Sequence, residues 1–338
     1  MATMKDVAKR AGVSIATVSV VLSGATFVSP LLKQRVETAI AELGYARNAI
    51  ARSLKRGHSS LIGLVVPDIT NPFFTAFVDH VQRSAAEAGY SVLLGLTDNA
   101  ASREQEVLGL MRSHQAAGTI LCPTGDATTY ADIGKTIGTM KLVLADNAPD
   151  NSDVDTVVMD NALAGELAAR HILSQGHKAI AVIAGPSYQY VAKQRNQAFV
   201  DILAKKSITL DSSMIARGEF REHDAHAATH LILRAPKKPT VIFVANNLML
   251  IGVMRAIAEL AMHVPGDISV VSIDDFAWAA AFQPSLTVIR QPIADMATSA
   301  FNRLLVRING NKDDLRREIF TPELIIRQSC GRPAIEVR

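Results

Sequence analysis

The run Met4-Lys5-Asp6-Val7-Ala8-Lys9-Arg10-Ala11-Gly12-Val13-Ser14-Ile15-Ala16-Thr17-Val18-Ser19-Val20-Val21-Leu22-Ser23-Gly24 carries groups that dock rather than react: hydroxyls, short apolar side chains and cations at helical spacing. Thr3 is placed to cap a first helix with Val7, Ala8 and Ala11 on one face. Gly12 offers the positive φ that a tight helix-to-helix turn needs. Ser14 is placed to cap a second helix whose inward face is Val18, Val21 and Leu22. Ala8 is small where the two helices cross, so the pair packs steeply and projects the second helix outward, the geometry that enters a DNA major groove. Residues 1–58 hold nine Lys/Arg against three acids, a net of +6 in a chain of net +3, so the other 280 residues sum to −3. A cationic arm on a mildly acidic body suits phosphate neutralisation.

A second set of polar and aromatic residues follows the ends of apolar runs. In the first half these are Asp68, Asn71, Phe73, Phe74, Asp98, Thr124 and Asp146; in the second, Arg195, Asn246, Asn247, Asp274 and Trp278. Doubly wound sheets bind ligands beyond the carboxyl ends of their strands. Aromatic faces beside several hydrogen-bonding groups suit a polyhydroxylated ligand.

The elements that must position these residues alternate. Short apolar runs predict strands at Leu61–Val66, Ser91–Leu96, Thr119–Cys122, Lys141–Leu144, Val154–Met159, Ala179–Ile183, Thr240–Ala245, Ile268–Ile273 and Leu286–Ile289. Helices are predicted between them, as at Phe73–Ala88, Ser102–Ser113, Ala162–Gln175, Ala192–Lys205 and Leu248–Ala261. Fully apolar strands alternating with helices imply parallel sheets covered on both faces. The strands are too many for one domain, so two doubly wound lobes dividing near Asn161 are expected, finished by a helix at Ile293–Ile308 and a last strand near Glu318–Ile326. Upstream, Ser29-Pro30 opens a third helix with Val36, Ile40 and Leu43 on its apolar stripe, and Gly44 ends it. The short basic stretch that follows is marginal as an isolated helix and reads as a linker that folds on binding. The expected class is thus α/β: a three-helix helix-turn-helix domain (1–46), a hinge helix (47–58), and two doubly wound parallel lobes, 59–160 with 291–319 and 161–290 with 320–338.

A length of 338 residues allows two or three domains, and 49 % hydrophobic with 20 % charged content describes a soluble globular chain. The N-terminus lacks a secretory apolar region, and no apolar run reaches the length of a membrane span. Cys122 and Cys330 form no CxxC, which fits a reducing cytosol. His223, His226 and His230 share one helix face, but their acidic and alanine neighbours read as a solvated surface, so no metal is expected. No GxGxxG follows the first strand, and P-loop, HExxH and GxSxG patterns are missing, so neither an enzyme nor a cofactor is expected. Two other classes compete. A transport-type sugar-binding protein would need an export signal and have no use for residues 1–58. An enzyme with a nucleotide in its cleft would need a phosphate-cradling loop.

Asp6-Val-Ala-Lys-Arg-Ala-Gly-Val-Ser14, Thr17-Val-Ser19, Glu42-Leu-Gly-Tyr45, Ala51-Arg-Ser-Leu54, Ile62-Gly-Leu-Val-Val-Pro67, Asn71-Pro-Phe-Phe74, Val264-Pro-Gly-Asp267 and Gln283-Pro-Ser-Leu-Thr287 occur in one order along nearly the whole chain. In these motifs the sequence resembles the lactose-repressor (LacI/GalR) family of bacterial transcription regulators. The resemblance implies lobes of periplasmic-binding-protein type, a homodimer on a palindromic operator, an effector between the lobes, allosteric control, and a place on cytoplasmic nucleoid DNA. With no leucine heptad after Cys330, no coiled-coil tetramer is expected.

The resemblance also implies site residues. Ile15, Ala16 and Val20 match positions that touch base edges; Val20 departs from the family's usual polar or basic residue. Such apolar side chains pack on thymine methyls, and operator choice then leans on DNA shape. Ile15 and Val20 are expected to face outward. Thr17 and Ser19 suit phosphate contacts, and Thr3, Lys5 and Ser14 complete this DNA-contacting set. In the linker, Leu54 matches a leucine that wedges into the minor groove, Ala51 lets two hinge helices approach, and Asn48, Arg52 and Lys55 contact DNA beside them. Arg195, Asn246 and Asp274 match residues that bind sugar hydroxyls, and Phe73 and Phe74 lie where a sugar ring stacks. The family's frequent Asn-Asp pair is here Asn246-Asn247. An amide in place of a carboxylate lowers the cost of a nearby anion, so a sugar acid is favoured over a neutral sugar. A hexonate or ketohexonate would direct its carboxylate to Arg195 or Lys193 and its hydroxyls to Asp274, Asn246 and Asp146. The alternative is that Asn247 merely caps the helix starting at Leu248.

Overall fold

The computed structural model describes residues 2–23, 28–45, 59–125, 130, 137–150, 152–311 and 313–333. The expected hinge at 47–58, with Asn48, Ala51, Arg52, Leu54 and Lys55, lies outside the described residues. The chain divides into two compact units, Met1–Ser59 and Ser60–Arg338.

The first unit is a three-helix cluster: α1 (Met4–Ala11), α2 (Ile15–Ser23) and α3 (Pro30–Leu43). A reciprocal cap starts α1: Asp6 N donates to Thr3 Oγ1 (3.3 Å), and Thr3 N donates to the Asp6 carboxylate (2.8 Å). Gly12 ends it at φ +65°, where a side chain would be strained. Ser14 Oγ accepts from Thr17 N (3.1 Å), satisfying a free donor at the start of α2. Pro30 opens α3 without needing an N–H, and Gly44 closes it at φ +56°. Val7, Ala8, Ala11, Val18, Val36 and Ala39 form the core. Small Ala8 and Ala11 allow the close helix crossing.

The second unit holds two six-stranded sheets. The first contains β1 (Leu61–Val66), β2 (Ser91–Leu96), β3 (Gly118–Leu121), β4 (Lys141–Ala145), β5 (Asp155–Met159) and β11 (Arg317–Phe320), in the spatial order β11-β5-β4-β3-β1-β2. The second contains β6 (Ile180–Ala184), β7 (Ile215–Arg217), β8 (Val241–Val244), β9 (Ser269–Ile273), β10 (Thr287–Arg290) and β12 (Glu323–Ile325), in the order β12-β10-β9-β8-β6-β7. The two orders correspond strand for strand. Every pairing is parallel except β10 with β12. Apolar runs such as Leu-Ile-Gly-Leu-Val-Val fit this, because both faces of a wound parallel sheet are covered. The covering helices are α4 (Pro72–Glu87), α5 (Ala101–Ser113), α6 (Asn161–Ser174), α7 (Tyr190–Ala204), α8 (Glu222–Arg234), α9 (Asn247–Glu259) and α10 (Ile293–Ile308).

Two strand expectations need correction. The single strand near Glu318–Ile326 is two strands in different sheets: β11 pairs parallel with β5, and β12 pairs antiparallel with β10. Thr321-Pro322 separates them, because proline has no N–H to continue a ladder. The edge strand β7 was not foreseen; three residues are too few to show a period.

The lobes interlock through late parts of the chain. Helix α10 packs on α4 and across β3, β4 and β5 of the first sheet, burying Met296, Phe301 and Leu304. Arg303 and Arg307 donate to buried Asp155 at 3.0 and 2.5 Å, fixing α10 to the start of β5. In the second lobe α6 and α7 approach backbone to backbone at Gly165, where an added Cβ would lie 2.2 Å from Arg195 O.

Candidate functional site

The carboxyl ends of both sheets face a shared cleft between the lobes. The first lobe lines it with Asp68, Asn71, Phe73, Phe74, Asn99 and Asp146; the second contributes Gln189, Arg195, Phe220, Asn246, Asp274 and Gln291. Asn71 caps α4 by accepting from Phe73 N at 2.9 Å. This sets Phe73 and Phe74 at the cleft wall, edge to face with centroids 5.0 Å apart. β4 and β9 occupy corresponding places in their sheets, and each is followed by an aspartate in the left-handed region, Asp146 at φ +63° and Asp274 at φ +75°. Aspartate tolerates that conformation better than most residues. Each keeps its N–H on the next strand: Asp146 N to Val157 O (3.0 Å) and Asp274 N to Ile289 O (2.9 Å).

One cation lies among these carboxylates. Arg195 is 3 % exposed; its Nε donates to Asn161 Oδ1 at 2.7 Å and its Nη1 to Ala245 O at 2.9 Å. Burial pushes the Asp146 carboxyl up to about 7; Arg195 opposes the shift and the charge of Asp274 adds to it. Burial likewise raises Asp274, against Arg195, the Gln291 amide and the Asn247 backbone N–H. Gln291 Nε2 donates to Asp274 Oδ1 at 2.5 Å, while its Oε1 is buried with no partner. An unsatisfied acceptor on a cleft wall costs stability unless a ligand hydroxyl or a water donates to it.

Three contacts tie the lobes beside the cleft. Gln189 Nε2 donates to Thr124 O (3.3 Å), and Val191 N donates to Asn147 Oδ1 (3.2 Å). The Tyr190 hydroxyl donates to the Asp150 carboxylate, which Arg317 also holds at 2.8 Å. Burial and that acceptor push the Tyr190 hydroxyl up to about 12.

Of the residues expected here, Asn71, Phe73, Phe74, Asp146, Arg195, Asn246 and Asp274 line the cleft, as does Asp68. The others are placed elsewhere. Asp98 is exposed and paired with Arg103 at 2.5 Å, and the next residue, Asn99, takes the wall. Thr124 is buried, its N–H and hydroxyl both on Glu104 (2.8 and 2.9 Å), and Pro123 lines the cleft instead. Lys193 is exposed and lines a separate surface hollow with Arg217. Two helical residues turn about 200°, so Lys193 and Arg195 cannot share a face. Asn247 is fully buried with both side-chain polar atoms unpartnered, and it is not the cap. Asn246 is, accepting from Met249 N at 2.9 Å. Trp278 is 49 % exposed, edge-on to Phe276 at 5.2 Å and outside the cleft lining.

Besides Asn99 and Pro123, the polar and aromatic lining residues Gln291, Phe220 and Gln189 were missed. Gln291 directly follows β10, where the carboxyl-end rule applied to the predicted strand Leu286–Ile289 would have found it. Phe220 follows β7, the strand that went unseen. Gln189 lies in the turn after β6, where no periodicity marks which residue points inward.

In the first unit, Thr3, Lys5, Ser14, Ile15 and Ala16 are exposed, and Ile15 is 49 % accessible. Thr17, Ser19 and Val20 are half-buried, and Val20 is not among the side chains packed on the core of the cluster. The Ser14 and Thr17 hydroxyls bond each other at 2.9 Å. The start of α2 thus presents an apolar tip, Ile15 and Ala16, beside the Ser14 and Thr17 hydroxyls.

Comparison with known proteins places both units. Residues 3–48 match "Bacterial regulatory proteins, lacI family", and residues 169–330 match "Periplasmic binding protein-like domain". The chain is 34 % identical over 330 residues to the ribose operon repressor of Escherichia coli, covering 98 % of this chain and 100 % of that one. It is 33 % identical over 332 residues to the transcriptional repressor PurR of Erwinia tasmaniensis, covering 98 % and 97 %. A lac repressor dimer bound to operator and the anti-inducer ONPF superposes with a TM-score of 0.85 at 26 % identity, over 97 % of this chain and 98 % of that one. A complex of the regulator CelR with cellobiose gives 0.73 at 26 % identity, over 98 % and 100 %. Among the described residues no helix is long and apolar enough to cross a membrane. A chain one-third identical to such repressors over nearly its entire length shares their family, and this one is a ligand-responsive DNA-binding repressor of the lacI family of bacterial regulatory proteins.

Proposed function

We propose that this regulator represses a carbohydrate-utilisation operon as a homodimer on palindromic DNA, and that a neutral, hydroxyl-rich ligand binds between its lobes. The observation that carries the ligand class is the Asp146–Arg195–Asp274 array. Two carboxylates flank one guanidinium that already donates to Asn161 and Ala245. The ionised fraction of Asp146 and Asp274 repels an entering anion, whereas a sugar hydroxyl hydrogen-bonds to either aspartate, protonated or not, and the sugar's C–H face stacks on Phe73 or Phe74. The reason for favouring a sugar acid was an amide at position 247 facing the ligand, and Asn247 is not in the cleft lining. A relative named for the ribose operon and a structural neighbour complexed with cellobiose support the sugar reading. A relative named PurR keeps purines among the ligands to be tested.

On the DNA side, Ile15 and Ala16 read thymine methyls while Lys5, Thr17 and Ser19 engage phosphates. Leu54 of segment 47–58 wedges into the minor groove at the operator centre. Ligand-driven movement of the lobes alters how two such segments meet, which couples the cleft to the operator. Titration calorimetry on the full chain with ribose, hexoses, hexonates and purine bases tests the ligand class. Heat from a neutral sugar, with none from hexonates or purines, is the expected result. Binding of hexonates or purines with silence toward every neutral sugar overturns it.

A further inference from the structure

The outer helices of the second lobe bring three ligand-type side chains to one point. His226 and His230 lie one turn apart on α8, and Glu259 comes from the last turn of α9. Glu259 Oε2 is 2.7 Å from His226 Nε2 and 2.8 Å from His230 Nε2. The two imidazole rings stand nearly perpendicular, 75° apart with centroids 4.7 Å from each other. Three coordinating atoms, one from each residue, lie within 4.8 Å of one another. A close helix contact makes this convergence: an added Cβ at Gly252 of α9 would lie 2.2 Å from Glu222 O of α8.

Sequence reading gave the whole histidine face to solvent. His223 is indeed exposed, but the side chains of His226 and His230 are only 19 % accessible, held against α9. None of the three converging residues lines the effector cleft.

We propose that His226, His230 and Glu259 form a binding site for one divalent first-row transition metal of the zinc class. Two imidazole nitrogens and a carboxylate oxygen are a donor set that zinc takes, with water in the remaining position. Ligand atoms about 2.0–2.2 Å from a tetrahedral ion stand roughly 3.3–3.6 Å apart. The nitrogen–oxygen separations of 2.7 and 2.8 Å are hydrogen-bond contacts, and small side-chain movements open them to that spacing. The ion replaces the two Nε2 hydrogens that now point at Glu259, each ring then carrying its proton on Nδ1. Arg255 Nε lies 3.6 Å from Glu259 Oε1 and opposes the cation, but Arg255 Nη1 is held by Glu222 at 2.6 Å. Magnesium and calcium are poor occupants, because they demand oxygen ligands. A bound ion cross-links α8 to α9 and stiffens the second lobe without touching the cleft.

Equilibrium dialysis of the full-length protein against Zn²⁺, with Co²⁺ as a coloured substitute, tests the site. We expect one zinc per chain, and a Tm raised by about 5 °C when zinc is ~100-fold above Kd. His226→Gln and Glu259→Gln each weaken zinc at least about tenfold, while His223→Gln leaves binding unchanged and Mg²⁺ gives no shift. The wild-type cobalt form reads the site without any substitution: strong visible absorption from a low-coordinate nitrogen–oxygen shell is expected. No zinc uptake, wild-type zinc affinity retained in both His226→Gln and Glu259→Gln, or the pale spectrum of fully hydrated cobalt each overturns the proposal.

Discussion

Asp146 and Asp274 are equivalent residues of two similar sheets, and both answer to one arginine. Their raised pKa values have a defined sign. At about 7, folded Asp146 holds a proton that the unfolded chain, with an ordinary carboxyl of 3.8, has already released. Between about pH 4 and pH 7 unfolding therefore releases a proton, so stability falls as pH rises through that window and levels off above it. The raised Asp274 adds in the same direction. Asp146→Asn removes the penalty: thermal melts should show a higher Tm than wild type at about pH 8 and a vanishing difference near pH 4. A difference independent of pH would refute the assignment. Arg195→Ala strips the cleft of this cation and leaves Asn161 and the Ala245 carbonyl without their donor. Removing one partner from a buried charge cluster costs ~3–5 kcal/mol. Calorimetry should find the ligand response abolished, while gel shifts show operator binding retained if the ligand is an inducer.

At the scale of elements, Gly165 decides where Arg195 sits. An added Cβ there would meet the Arg195 carbonyl, which is backbone and has no soft side chain to yield. Gly165→Ala should push α7 off α6, cost about 1–3 kcal/mol of stability and weaken the ligand roughly tenfold, although residue 165 lines no part of the cleft. An unchanged ligand affinity in calorimetry would show that α7 shifts without moving the guanidinium. The elements themselves were largely legible. Leu61–Val66 and Ser91–Leu96 match their strands residue for residue, because long apolar runs in wound sheets leave little ambiguity. The split at Thr321-Pro322 was signalled by the proline and passed over. The cleft was legible only to within a residue or two. The carboxyl-end rule reached Asp146 and Asp274, but loops have no period, so it could not separate Asp98 from Asn99 or Thr124 from Pro123. Where a period exists it should have been used: Lys193 and Arg195 are two helical residues apart and face different ways.

At the scale of the whole molecule, the chain passes between the sheets three times: from β5 into α6, from β10 into α10, and from β11 into β12. Three parallel connections allow two stiff lobes to pivot and little else. The proposed coupling carries that pivot to the DNA through segment 47–58. Leu54→Ala should then abolish preference for the operator over random DNA and leave Tm unchanged, as read by fluorescence anisotropy and thermal melts. Loss of Tm with intact operator preference would make Leu54 an ordinary core residue.

The late origin of α10 and β11 also bears on how the protein comes off the ribosome. Synthesis delivers residues in chain order, and domains fold as they emerge. The helix cluster is complete by about residue 45, and its contacts are local, so it forms early. The first sheet begins at Leu61 but lacks its last covering helix until residue 308 and its edge strand until residue 320. From the completion of β5 at residue 159 until then, β3–β5 present apolar surface that α10 later covers and an open edge at β5, the features that invite strand-to-strand aggregation. A nascent chain stalled just before residue 293 is the most vulnerable form. Every newborn molecule also passes through a stage in which its DNA reader is folded and its ligand reader is not.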